Sequence, residues 1–138
     1  MLHHSLSKNG YVQDIEKATL DNDNFRQVLY TGPKSQLVVM SLKPGEDIGM
    51  EVHNNVDQFL RIEKGAGKVI LDSEETEVKA EFAIVIPAGT EHNLVNNSDS
   101  EDLKLYTIYT PANHPEGTVH ATRDEAMQAE VEEGQHHE

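Results

Sequence analysis

Glu51, His53, Gln58 and His92 are the side chains whose types and spacing suit chemistry. Alternate residues of an extended strand point to one side, so Glu51 and His53 share a face at a separation that one metal ion can bridge. Gln58 opens the next apolar run and can join them from a neighbouring position. His92 lies far along the chain, just past Pro87-Ala88-Gly89, at the head of its own strand. Two imidazoles, one carboxylate and one amide oxygen form a mixed nitrogen and oxygen set. Such a set suits one divalent ion of Fe, Mn, Ni, Zn or Cu better than Ca or Mg. Each residue has an ordinary alternative role. Either histidine alone reads as a hydrogen-bonded side chain, and Gln58 as a partner of Glu51 or of a water. Glu51 is the most informative, because an acid on the inner face of a barrel strand is costly unless paired or metal-bound.

These residues need a scaffold of strands. The middle of the chain reads as short strands separated by turns, over residues 25–30, 35–42, 58–63, 68–71, 76–78, 83–86, 92–95 and 103–109. Residues 35–42 (SQLVVMSL) are apolar on both faces, as a buried strand requires. Residues 68–71 and 76–78 read as a hairpin across Asp72-Ser73-Glu74-Glu75. The pattern predicts an all-β sandwich or barrel. One helix is expected near the end, where Thr122 and Glu125 make a capping box and Met127 and Val131 share a face. The tail after Gly134 is expected to be disordered. The organisation is therefore an N-terminal extension or first strand over 1–24, a barrel over 25–111, and a C-terminal segment over 112–138.

The side chains around the four candidates follow from strand parity. Leu60 and Ile62 continue the Gln58 face and should line the cavity or pack beneath it, while Phe59 and Arg61 face the other way. Met40, Leu42 and Met50 are expected in the core. Tyr106 and Tyr109 have opposite parity, so at most one reaches the interior. His114 and His120 read as surface groups. The pairs His3-His4 and His136-His137 can bind metal adventitiously. Asn96-Asn97-Ser98 reads as a turn.

The spacing resembles the cupin superfamily. Its first motif is Gly, five residues, His-x-His, three or four residues, Glu, six residues, Gly. Here Gly45, Glu51, His53, Gln58 and Gly65 stand in that register, with Glu51 in place of the first His and Gln58 in place of Glu. Its second motif is Gly, five residues, Pro-x-Gly, two residues, His, three residues, Asn. Pro87, Gly89, His92 and Asn96 match, and Glu81 takes the leading Gly position. The resemblance extends to small single-domain conserved-barrel cupins, often labelled as resembling mannose-6-phosphate isomerase. It implies a double-stranded β-helix, or jelly-roll barrel, with a short C-terminal helix and an interior metal. It also implies a small-molecule ligand in the barrel and a homodimer. Glu51, His53 and His92 would form the two-histidine, one-carboxylate facial triad of non-haem iron oxygenases. Zinc phosphomannose isomerases use two His, one Glu and one Gln, with Gln and Glu in the opposite order.

Composition narrows the function. There is no cysteine, hence no disulfide framework and no thiolate metal site. The net charge of -14 repels phosphate backbones and anionic membranes, which argues against nucleic-acid partners. Residues 1–10 lack the apolar stretch of a secretory signal, and no apolar run is long enough to span a bilayer, so a soluble, cytoplasmic protein is expected. The leading expectation is a metal-dependent enzyme of dioxygenase or isomerase type acting on a small polar or carbohydrate-like substrate. The alternatives are a non-catalytic module that binds a metal or small ligand, and a scaffold with a vestigial site. No separate general base can be named from spacing, so the catalytic residues are left unassigned.

Overall fold

The computed structural model describes residues 10–136, with side chains through Val131. Its strands are β1 (Arg26–Thr31), β2 (Gln36–Leu42), β3 (Asp57–Lys64), β4 (Ala66–Leu71), β5 (Glu74–Lys79), β6 (Ala83–Ile86), β7 (His92–Val95), β8 (Leu103–Thr110) and β9 (Val119–His120). Helix α1 spans Ile15–Asp21 and helix α2 spans Arg123–His136. The strands form two antiparallel sheets, ordered β6-β3-β8-β2-β1-β9 and β5-β4-β7. The segment before β3 extends the smaller sheet past β7 through bridges at Asp47–Val95 and Glu51–His92. The sheets close face to face as the all-β double-stranded β-helix implied by the motifs. Among the described residues, no helix is long and apolar enough to cross a membrane.

Register sorts the interior into layers. Across the larger sheet, Gln58, Tyr109 and Gln36 stand side by side, and Leu60, Thr107 and Val38 form the next layer. Ile62, Leu105 and Met40 come below, with Arg26 of β1 opposite Met40. The smaller sheet contributes Val69, Val78 and Leu94 to the same core. Each fully buried aliphatic side chain contributes about 1.5–3 kcal/mol, so the apolar layers hold the sandwich while the polar layer stands at one end. Phe59 and Tyr106 face outward with their rings 6.3 Å apart, and Tyr109 faces inward, as parity requires.

Turn chemistry completes the frame. The β4–β5 hairpin turns on Asp72 and Ser73 alone, both at positive φ (48° and 75°), tighter than the four-residue turn expected from the sequence. Gly65 sits at φ +93°, where an added Cβ would strike the Asp102 carbonyl, so this motif glycine is required twice over. Glu81, standing where the motif has its leading glycine, keeps the left-handed backbone at φ +77°.

Other expectations needed correction. A second helix, α1, is present; Asp14 caps it by accepting a hydrogen bond from Lys17 N at 3.1 Å. The buried Lys104 ammonium donates to Leu20 O in the last turn of α1 and to Asn22 O and Asp23 Oδ1 just beyond it, fixing the helix on the outer face of the larger sheet. In α2, Thr122 Oγ1 accepts from Glu125 N at 3.2 Å, while Glu125 Oε1 accepts from Ala121 N at 2.9 Å. Among the described side chains of α2 the buried one is Ala126, and Val131 is exposed, so the expected Met127–Val131 face is displaced towards Ala126 and Glu130. The helix runs through Gly134 to His136, two residues into the expected tail, whose last two residues lie outside the described ones. Met50 is 51% exposed, because it lies on the outward parity of the edge segment. His3-His4 and the side chains of His136-His137 lie outside the described residues.

Asn96 stitches the two sheets together. Its fully buried amide donates to Leu42 O at 2.9 Å and Glu101 O at 2.8 Å and accepts from Ser98 N at 3.0 Å. Asn96→Ala would remove the amide donor from the buried Leu42 carbonyl and from the partly exposed Glu101 carbonyl, and is expected to lower stability by about 2 kcal/mol. Urea unfolding followed by far-ultraviolet circular dichroism checks this; a loss well below about 1 kcal/mol would contradict it.

Candidate metal centre

The site forms at the polar end of the sandwich. Glu51 and His92 are directly opposed across the smaller sheet, each backbone N–H donating to the other's carbonyl at 2.9 Å. Their side chains therefore leave the same face side by side. His53 lies two residues past Glu51, and its carbonyl accepts from Gly89 N at 2.8 Å. The Pro87-Ala88-Gly89 turn of the second motif thus anchors a histidine of the first. Gly49 N donates to Asn93 Oδ1, and Asn93 Nδ2 to Asp47 Oδ2, which holds the edge segment against β7.

Glu51, His53 and His92 each place one ligand atom within 4.8 Å of the others. His53 Nε2 lies 3.1 Å from Glu51 Oε1. Two donors each about 2.1 Å from one ion would stand about 3.0–3.4 Å apart, so this separation fits a shared metal. His92 Nδ1 is 2.8 Å from the Thr90 carbonyl and donates to it, which selects the neutral tautomer whose Nε2 is the nitrogen available to a metal. His92 is buried, whereas the Glu51 and His53 side chains retain 23% and 17% exposure, so the centre is reachable from solvent.

Gln58 sits in the neighbouring wall, opposite Tyr109 and Ile86. Its Nε2 donates to Thr107 Oγ1 at 3.0 Å, while its Oε1 is buried without a protein partner. A buried acceptor left unmatched is costly, so this oxygen calls for a cation or a donor from outside the chain. The donor set therefore fits a divalent ion, with Glu51, His53 and His92 as the triad and the Gln58 oxygen as the candidate fourth ligand.

Two further groups pack beside the candidate ligands. Tyr109 is buried, its ring edge-on to His53 at 6.3 Å between centroids. Burial pushes its phenol well above its ordinary range, and the Glu51 and Glu130 carboxylates add to this while Arg26 and the Gln58 amide oppose it. His114 is not the surface group expected. Gln36 holds its backbone from both sides, Nε2 donating to His114 O at 2.8 Å and Oε1 accepting from His114 N at 3.0 Å. The imidazole packs edge-on to Tyr109, with Nε2 3.4 Å from the phenol oxygen. Burial, with the Arg26 guanidinium next, pushes its pKa down to about 3. Strand parity pointed to Tyr109 as one of two candidates. His114 follows β8 in an irregular segment, where no periodicity reports which way a side chain turns.

Comparison with known proteins places this geometry. The Cupin domain model matches residues 38–109, the stretch that carries every candidate ligand. The chain belongs to the cupin family. It is 49% identical over 126 residues to YrkC of Bacillus subtilis, covering 87% of this chain and 67% of that protein. It is 45% identical over 120 residues to protein L612 of Acanthamoeba polyphaga mimivirus, covering 84% and 74%. The crystal structure of BH2720 from Bacillus halodurans superposes with a TM-score of 0.86 at 43% identity, covering 93% of this chain and 99% of that one.

The depressed His114 pKa has a consequence for stability. Between about pH 6.5 and pH 3 the unfolded chain binds a proton here that the folded protein does not, so this group makes stability fall as the pH falls through that window. The slope from this one group approaches about 1.4 kcal/mol per pH unit. His114→Gln should flatten the acid limb of stability against pH, measured by urea midpoints from pH 7 to pH 4. An unchanged limb, or a His114 ring that titrates near pH 6.5 by NMR, would contradict the burial account.

Proposed function

We propose that this protein is a metal-dependent enzyme acting on a small polar substrate, with Glu51, His53 and His92 as metal ligands and the Gln58 oxygen as the fourth. The observation that carries this reading is the convergence of the three ligand atoms within 4.8 Å at a solvent-reachable end of the barrel. A metal bound there supplies Lewis acidity, or redox chemistry if it is iron. The remaining chemistry belongs to the chain. Tyr109, held protonated by burial, can donate a hydrogen bond into the interior. His114, held neutral, orients that phenol instead of acting as a base, because a group of pKa about 3 takes a proton poorly at neutral pH. Sugar-type isomerisation needs a base that moves a proton between carbons, and neither group is suited to that role. Oxygenase-type chemistry has no such requirement, and the two-histidine, one-carboxylate triad is its usual donor set. The dioxygenase reading therefore stands ahead of the isomerase reading.

Untagged protein should bind one equivalent of divalent metal, by elemental analysis after gel filtration. Glu51→Ala, His53→Ala and His92→Ala should each weaken binding by about 100-fold or more, and Gln58→Ala by less. Metal retained by both Glu51→Ala and His92→Ala would sink the interior site. The iron-loaded protein should then consume oxygen with at least one member of a panel of small polar and carbohydrate-like compounds. Metal binding with neither oxygen uptake nor isomerase turnover would instead identify a non-catalytic ligand-binding module.

Homodimer formation belongs to the same proposal. The outward face of the larger sheet carries Val85, 65% exposed, beside the half-buried Phe59 and Ile108, an apolar surface suited to a second copy. Sedimentation equilibrium should give twice the chain mass at micromolar concentration; a clean monomer would remove this element.

A further inference from the structure

Thr107 is fully buried, at 0% exposure. Register sets it in one layer with Ile84, Leu60, Val38 and Val28, where it is the only polar side chain. A buried hydroxyl is costly unless it is hydrogen-bonded, and a valine would fill the same β-branched shape without that cost. The hydrogen bond its hydroxyl makes is with Gln58, whose Nε2 donates to Thr107 Oγ1 at 3.0 Å.

Strand pairing brings these two side chains together. Gln58 stands opposite Tyr109 across β3 and β8, so Thr107, two residues before Tyr109, is its diagonal neighbour on the inward face. Gln58 is itself buried. Its register partner Tyr109 lies edge-on to His53, 6.3 Å between centroids, which sets the Gln58 layer against the triad. The nitrogen and oxygen of an amide diverge from one carbon in a fixed plane. With Nε2 drawn to the Thr107 layer, Oε1 is turned away from that layer, and it is buried with no protein partner.

A hydroxyl both donates and accepts, so Thr107 can serve either end of the amide. A cation at the triad breaks that symmetry, because it attracts the oxygen and repels the amino group. The amino group then has the Thr107 oxygen to receive it. Without the hydroxyl, turning the oxygen to an ion would strand a buried N–H donor against an apolar layer.

We propose that Thr107 is a positioning residue of the metal centre, whose hydroxyl holds the Gln58 amide by its nitrogen so that Oε1 is presented to the ion as the fourth ligand. This role rests on the metal-centre reading above. Thr107 does not itself coordinate the ion. It acts through Gln58, and its loss is felt as the loss of that one ligand.

Zinc affinity of the untagged protein, measured by competition with a chromophoric chelator, tests this. Thr107→Val should weaken zinc binding by about tenfold, the lower end of what the hydrogen-bond partner of a metal ligand contributes. Thr107→Ser keeps the hydroxyl and should bind zinc as the native protein does. Gln58→Ala should weaken binding at least as much as Thr107→Val, and adding Thr107→Val to Gln58→Ala should lose nothing more. A Thr107 that only packs the core would weaken binding equally in both backgrounds. The spectroscopic signature is the Gln58 side-chain amide followed by heteronuclear NMR. At saturating zinc its resonance should move in the native protein and in Thr107→Ser, and far less in Thr107→Val. Unchanged affinity in Thr107→Val, an equal loss in Thr107→Ser, a further loss in the Gln58→Ala background, or a native Gln58 amide indifferent to zinc would each overturn the proposal and leave the triad standing. A native protein that binds no zinc would instead remove the metal centre, and this role with it. If Thr107→Val does not fold, contact between the Gln58 amino protons and the Thr107 side chain decides. It should persist in the zinc-loaded native protein, and its loss on zinc binding would overturn the proposal.

Discussion

The hydrogen-bonded pair between Glu51 and His92 is the constraint on which the site depends. Two backbone bonds of 2.9 Å join residues forty-one positions apart and leave no freedom in which side chains emerge together. Everything nearby reinforces that register. Gly49 N is held by Asn93, Asn93 by Asp47, and Asp47 in turn by Arg123 of α2, whose Nε and Nη2 reach its carbonyl and carboxylate at 2.8 and 2.9 Å. A slip of one residue along this seam would turn Glu51 outward and bring Met50 in. The ligands are therefore preorganised by main-chain pairing before any ion arrives.

The same logic explains what could be read from the chain alone. Residues 83–86 and 92–95 were legible to the residue as strands, because Pro87 stops the first, an apolar run, and the Pro87-Ala88-Gly89 turn and Asn96 bracket the second. The ligand triad was legible because the i, i+2 rule carries Glu51 and His53 onto one face and the motif spacing brings His92 to them. Helix α1 was not, because seven residues with a single fully buried side chain show no period; its place is set by Lys104, eighty-odd positions away. His114 and Arg26 were missed for related reasons. One sits in an irregular segment pinned by Gln36, and the other is a charged residue at a strand start, where the usual expectation is exposure.

The interior is divided in function as well as in polarity. Leu60, Val38 and Ile84 pack below the ligand end, so the site has an apolar floor rather than a water-filled shaft. Tyr109 and His114, each held neutral by burial, add hydrogen-bonding capacity without adding charge. Helix α2 closes the open flank, tied to the smaller sheet by Arg123–Asp47 and to the larger by Arg26–Glu130, with Ala126 fully buried between these attachments. It belongs to the wall of the sandwich and is not an appendage.

The outermost strand of the smaller sheet bears on how the protein meets its neighbours. Strand β5 has β4 on one side only, and five of its six residues are exposed. Three of those five are glutamates, at positions 74, 75 and 77. An incoming strand seeking the free backbone groups of β5 would have to bring its own side chains into that acidic fringe, at the margin of a protein already carrying a large negative charge. Unlimited sheet extension from this border is thereby discouraged. The molecule can stay discrete at high concentration while keeping a short, unpaired strand in full contact with water.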